Sequence, residues 1–174
     1  MSTVIPQVHG PEEAYDYRDL AYQLYSKTND VMRALHDAQC SLDMDDSELA
    51  SCVGIDETAL DDWWAGANRM FWGIIDYAME CGADIDFHTR FIRDASYDEL
   101  HDGMTEHMND MIDAIRYIRE HRGITVERVA GEMNCPVDAV RAIESHDSDI
   151  TEELVNVASL LKTDITVSHV GAAH

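Results

Sequence analysis

The side chains with the most chemistry to offer are nine histidines, four cysteines and a run of arginines in the second half of the chain. His101 and His107 flank Glu106, which invites a metal-site reading. Two ligands share one helical face at spacings of three or four, and these histidines are six apart. His121, His146 and His169 stand apart in sequence. The histidines therefore read as surface side chains, and no metal site is expected. Cys40, Cys52, Cys81 and Cys135 form no Cys-x-x-Cys pair. Free thiols in a reducing, cytoplasmic setting fit better than a zinc knuckle or a disulfide framework. No Gly-rich phosphate loop, Gly-x-Ser-x-Gly or His-Glu-x-x-His occurs, so the signatures of phosphate binding, acyl transfer and zinc hydrolysis are missing. Neither an enzyme nor a cofactor is expected.

Charge is the more telling chemistry. Asp and Glu number 35 against 12 Lys and Arg, a net charge of −23. Such a field repels phosphates and lipid headgroups and favours solubility or a basic partner. An acidic host proteome would produce the same total, so the distribution carries the information. Residues 36–61 hold Asp37, Asp43, Asp45, Asp46, Glu48, Asp56, Glu57 and Asp61, with neither lysine nor arginine. Residues 116–141 hold Arg116, Arg119, Arg122, Arg128 and Arg141 against Glu120, Glu127, Glu132 and Asp138. The second window is the first carried along the chain by a fixed offset, position 36 falling on 116 and position 61 on 141.

That offset runs through the chain. Tyr17, Leu20, Asn29, Ala50, Ala78 and Ile85 meet Tyr97, Leu100, Asn109, Ala130, Ala158 and Ile165. The apolar register holds without a gap: Val31, Met32, Leu35 and Ala38 fall on Met111, Ile112, Ile115 and Ile118. Leu49, Val53, Leu60 and Trp63 fall on Val129, Met133, Val140 and Ile143. A tandem repeat is expected. Within the second unit the apolar spacing of threes and fours predicts a first helix through Ile118, ended by Gly123. Thr125 is the expected N-cap of a second helix carrying Val129 and Ala130. Asn134-Cys135-Pro136 predicts a turn into a third helix, and Leu154, Val155, Ala158 and Leu161 a fourth. The runs Ile85–Thr89 and Ile165–His169 alternate as short strands would, with Val4-Ile5 a further candidate. Tyr15, Tyr17, Tyr22 and Tyr25 precede the first unit and predict an extra helix. The expected layout is an arm (1–13), a first acidic unit (14–86), a linker (87–96), a second unit (97–170) and a tail (171–174). The fold class is all-α, with a few short strands at the unit ends.

The stretch from Ile115 through Arg119, Arg122-Gly123-Ile124-Thr125, Val129-Ala130, Met133 to Pro136 and Ile143-Glu144 resembles the lambda-repressor/Cro-type (XRE-like) helix-turn-helix family. Residues 29–85 resemble it more loosely, through Leu49-Ala50, Gly54-Ile55, Leu60, Trp63, Gly66 and Ala78. The resemblance implies two tandem copies of that fold, and an ion pair between Arg119 and Glu144. The shifted positions are Gln39 and Trp64, so both partners change together. It also implies a transcription regulator that contacts DNA through the second unit, with Arg122, Thr125, Arg128, Val137, Asp138 and Arg141 as the DNA-facing set. In the first unit Asp56, Glu57, Asp61 and Asp62 would meet phosphates with no cationic support. The charge map thus sustains an alternative: an acidic protein-binding regulator or nucleic-acid mimic, of the phage inhibitor or antirepressor type, that binds no DNA. Trp64, Met70, Phe71 and Trp72 exceed what a small helical core requires and predict an interface, including one between two copies in a homodimer. No run approaches the roughly 18 apolar residues that suggest a membrane span, and the N-terminus has no signal-peptide pattern; a cytoplasmic protein is expected.

Overall fold

The computed structural model describes residues 15–65 and 72–174; the expected arm and the Val4-Ile5 strand lie outside them. The described chain is mainly helical. Helix α1 (Tyr17–Ser41) is followed by α2 (Asp46–Val53), α3 (Glu57–Trp64), α4 (Trp72–Cys81) and strand β1 (Ala83–Phe91). Then come α5 (Tyr97–His121), α6 (Val126–Glu132), α7 (Val137–Glu144), a 3-10 turn at Asp149–Thr151, α8 (Glu152–Leu160) and strand β2 (Thr163–Ala172). Helices α1 and α5 have 25 residues each.

Both long helices begin at a side-chain cap. The Asp16 carboxylate accepts from Asp19 N at 3.1 Å, and Ser96 Oγ accepts from Glu99 N at 3.1 Å, each satisfying a backbone donor that the helix leaves unpaired. Of the tyrosines expected to form an extra helix, Tyr17, Tyr22 and Tyr25 belong to α1, and Tyr15 precedes its cap. With Asp16 as cap, the helix runs unbroken from Tyr17, and Leu20 and Leu24 continue its buried stripe. Tyr17, Tyr22 and Tyr25 take its exposed side. In α5 the buried stripe is Leu100, Met104, Met108, Met111, Ile115 and Ile118. Each full burial of such a side chain contributes about 1.5–3 kcal/mol.

The two strands pair with each other, antiparallel, as a two-stranded sheet. Ala83 lies opposite Ala172, Phe87 opposite Val167 and Phe91 opposite Thr163, with one irregularity between Asp86 and Phe87. The sheet packs on α1 and α4 through β1 and on α5 and α8 through β2. Pairing extends β1 to Phe91, so residues 87–91 are strand and not linker. The C-terminal residues likewise are no free tail. Gly171 and Ala172 finish β2, Ala173 N donates to Gly82 O at 2.8 Å, and Asp16 N donates to His174 O at 3.0 Å. Gly82 is needed where it stands: its φ is +72°, and a Cβ there would come within 2.8 Å of the Tyr15 ring and 2.9 Å of Arg122 Nε.

The first and second halves meet at a buried charge. Arg119 of α5 donates through Nε to Glu144 Oε2 at 2.7 Å and through an Nη to Oε1 at 2.9 Å, while its other Nη reaches Ile124 O at 2.8 Å. Tyr77 of α4 donates its hydroxyl to the same Oε2 at 2.6 Å. All three residues are buried, Arg119 at 7% exposure and Glu144 at 6%. Burial and the Glu144 carboxylate push the Tyr77 phenol far up, so it stays a donor. At Arg119, burial works against the charge and the bonds to Glu144 outweigh it. Alongside, α4 packs its backbone tightly at Gly73, where a Cβ would come within 2.7 Å of Ile150.

Removing one partner of this pair strands the other. Glu144→Ala is expected to cost about 3–5 kcal/mol, and the joint replacement Arg119→Met with Glu144→Leu to recover most of it. Urea unfolding measures both. A second expectation concerns Asp76, whose carboxyl burial and Glu80 push up. A carboxyl with a folded value above its unfolded one is penalised once ionised, so stability falls as pH rises through that window. Asp76→Asn should therefore stabilise the protein at pH 7, and the gain should vanish below about pH 3.8, the ordinary value of the group.

Candidate functional site

Two short helix pairs stand out from the core, α2–α3 in the first half and α6–α7 in the second. In the second, Thr125 caps α6, its hydroxyl accepting from Arg128 N at 3.1 Å. The chain then turns through Met133, Asn134, Cys135 and Pro136. Asn134 takes a left-handed φ of +55°, which asparagine tolerates better than most residues. Pro136, at φ −64°, precedes the first turn of α7. Val140 and Ile143 face inward, and Asp138 and Arg141 face solvent. The first half builds the same turn differently, with Gly54 at φ +74° and Asp56 before α3. Leu60 and Trp63 face inward there, and Asp56, Glu57, Asp61 and Asp62 are all exposed.

The residues expected to face DNA are not all exposed. Arg122 is the clearest correction. It is 8% exposed, its guanidinium lies 4.7 Å from the centre of the Tyr15 ring, and it donates to the Ala173 carbonyl. The close of the chain over Gly82 encloses it, so it holds the fold and does not present itself to a phosphate. Thr125 is exposed, but its hydroxyl already serves the cap. Val137 is half-buried against the core. Arg128 and Arg141 are exposed, and Arg141 lies 3.7 Å from Glu127 in a bridge whose side chains are 62% and 64% exposed. With Asp138 and Glu132 exposed as well, the α6–α7 face carries no excess of positive charge.

Trp64, named above as an interface residue, lies between α1 and α3. It is half-buried, its ring 5.0 Å from that of His36, and it lines a cavity of about 580 Å³ between α1 and α3 with Tyr25, Met32 and Trp63. Gln39, which the sequence offset pairs with Arg119, donates its amide to Asp46 Oδ1 at 2.7 Å. Met70, Phe71 and the side chain of Trp72 lie outside the described residues.

Three structural participants escaped the sequence reading. Tyr77 bridges the halves, yet the position that the sequence offset pairs with it is Val157, so the offset gave no hint of it. Tyr15 covers Arg122 and donates to Met79 O at 3.0 Å. Lys27 lies 2.8 Å from Asp84 and 2.7 Å from Asp86, tying α1 to β1; burial opposes its charge, and the bonds to both aspartates outweigh that. Its rarity was the available signal, since Lys27 and Lys162 are the chain's lysines. Among the described residues no group of three or more metal-binding side chains converges, and no helix is long and apolar enough to cross a membrane.

The arginines therefore separate by role, which stability measurements can read. Arg122→Ala is expected to cost on the order of 2 kcal/mol or more, from the buried hydrogen bond and the cation–π contact together. Arg128→Ala and Arg141→Ala should stay within about 0.5 kcal/mol of the parent. Comparison of the chain with family models, with curated proteins and with solved structures gave no match in any of the three.

Proposed function

We propose that this protein is an acidic binding protein of the helix-turn-helix kind, which engages a partner protein through a basic surface on that partner, and that α2–α3 is the engaging face. The observation that carries this reading is the exposure of Asp56, Glu57, Asp61 and Asp62 around one turn and helix. The α6–α7 face offers phosphate no comparable cationic set once Arg122 is enclosed. Four carboxylates around one turn and a short helix present negative charge that a nucleic-acid-binding surface would accept, and electrostatic complementarity of that sort speeds encounter and sets register.

The test separates position from total charge. One variant neutralises Asp56, Glu57, Asp61 and Asp62 as amides. A control neutralises four exposed acids of α5 and its approach: Asp94, Asp98, Glu99 and Asp102. A partner captured from the native host and identified is then titrated calorimetrically with each. The α3 variant should lose at least tenfold in affinity while the control loses little. Equal losses would reduce the effect to net charge and remove the proposed face.

A second reading rests on the exposure of Arg128 on α6 and Arg141 on α7: a regulator that touches DNA through its second half. It predicts a mobility shift of DNA flanking its own gene at low salt. In Arg128→Ala with Arg141→Ala, the salt dependence should become shallower by roughly 0.9 per lost phosphate contact. No shift at low salt is the outcome expected on the first reading.

A further inference from the structure

The register of the sheet contains more than a pairing of two strands. Phe87 lies opposite Val167, its own counterpart under the sequence offset. Moving outward, His88 pairs with Thr166 and Thr89 with Ile165 on one side, and Asp86 pairs with His169 on the other, one residue out of step at the irregularity. The same offset carries α1 (Tyr17–Ser41) onto α5 (Tyr97–His121) at both ends, and α3 (Glu57–Trp64) onto α7 (Val137–Glu144). A two-fold axis through the Phe87–Val167 pair would exchange β1 with β2. The contacts across the joint follow the same rule: α1 touches β2, and its exchanged counterpart, α5 against β1, is also made. A surface in which element i meets element j of a partner while j meets i is the mark of an isologous dimer.

From these contacts we infer that the joint between the two halves is a homodimer interface closed within one chain: a self-complementary surface whose fitting partner is a second copy of the same half. No part of this rests on the basic-partner reading. The symmetry is broken on one side. Helix α4 packs on α5 and α6, sealed by the Tyr77–Glu144 bond. At the exchanged place, between α2 and α8, lies a cavity of about 440 Å³ with Cys52, Val53, Val157 and Leu160 in its wall. Val157 stands where a second Tyr77 would, and Trp64 where a second Glu144 would. The fused pair has therefore diverged from its own two-fold, with unlike faces at α2–α3 and α6–α7. A second chain is not required to complete the interface.

Two experiments on full-length chains test this. In the first, residues 17–93 are replaced by a copy of residues 97–173, with tyrosine kept at position 77 so that the bond to Glu144 survives. If the joint is self-complementary, this chain unfolds in one cooperative transition and has a monomer's mass by light scattering. In the second, Phe87→Cys is combined with Val167→Cys in the natural chain. Facing residues of antiparallel strands lie close enough for a disulfide after small adjustment, so oxidation should give an internally bridged monomer that migrates faster on a non-reducing gel. A symmetrised chain that aggregates or stays unfolded overturns the inference. So does a natural chain whose new disulfide joins two molecules.

Discussion

A single carboxylate, Glu144, holds three structural facts together. It neutralises Arg119, it closes α7 against α5, and it accepts the only side-chain bond from α4 that crosses into the second half among the bonds described. Placing an arginine and a glutamate where water barely reaches is unfavourable, and the attraction between them offsets that cost only with good geometry and with the remaining hydrogen-bonding capacity used. Here it is used: two parallel N–H donors from the guanidinium, a phenol on the second oxygen's lone pair, and a backbone carbonyl for the free Nη. The consequence is positional. α7 cannot slide by a residue along α5 without leaving a charge unpaired, and α4 cannot without losing the Tyr77 hydrogen bond, so the cluster fixes the alignment of helices that hydrophobic contact alone would leave looser.

What the sequence made legible followed from periodicity. The helices of the second half lie close to where the spacing of Met111 through Leu161 put them, because an apolar stripe at threes and fours has few other ways to be buried. The strands were legible as alternation but not as partners, since their pairing joins residues from opposite halves of the chain and nothing local specifies it. The enclosure of Arg122 was illegible for a similar reason. Its surroundings are Tyr15, Gly82 and Ala173, contributed by three distant segments. An arginine looks cationic in any sequence, and only the fold decides whether its charge faces outward. Exposed acids are easier: Asp56, Glu57, Asp61 and Asp62 alternate with Leu60 and Trp63, and burying the apolar pair leaves the acids outside.

The two helix pairs show one backbone pattern carrying different surface charge, carboxylates alone around α3 and arginines mixed with carboxylates on α6–α7. Capping differs, with a threonine hydroxyl at α6 and an aspartate carboxylate at α2, and so does the turn, asparagine in one and glycine in the other. The inward residues are apolar in both pairs while the outward ones differ in charge, because exposed charges hardly affect folding. A different surface charge over a similar core pattern thus costs little stability, and such a face can be altered without the core being rebuilt.

Cys81 lies beside this joint, fully buried on α4, and burial with the Glu144 carboxylate nearby keeps its thiol protonated. A protonated, enclosed thiol is a poor nucleophile. Cys40 and Cys52, by contrast, stand exposed. The molecule therefore contains its own clock. Exposed thiols meet an alkylating reagent at once and half-buried Cys135 after them, whereas Cys81 is reached only if the packing around α4 opens.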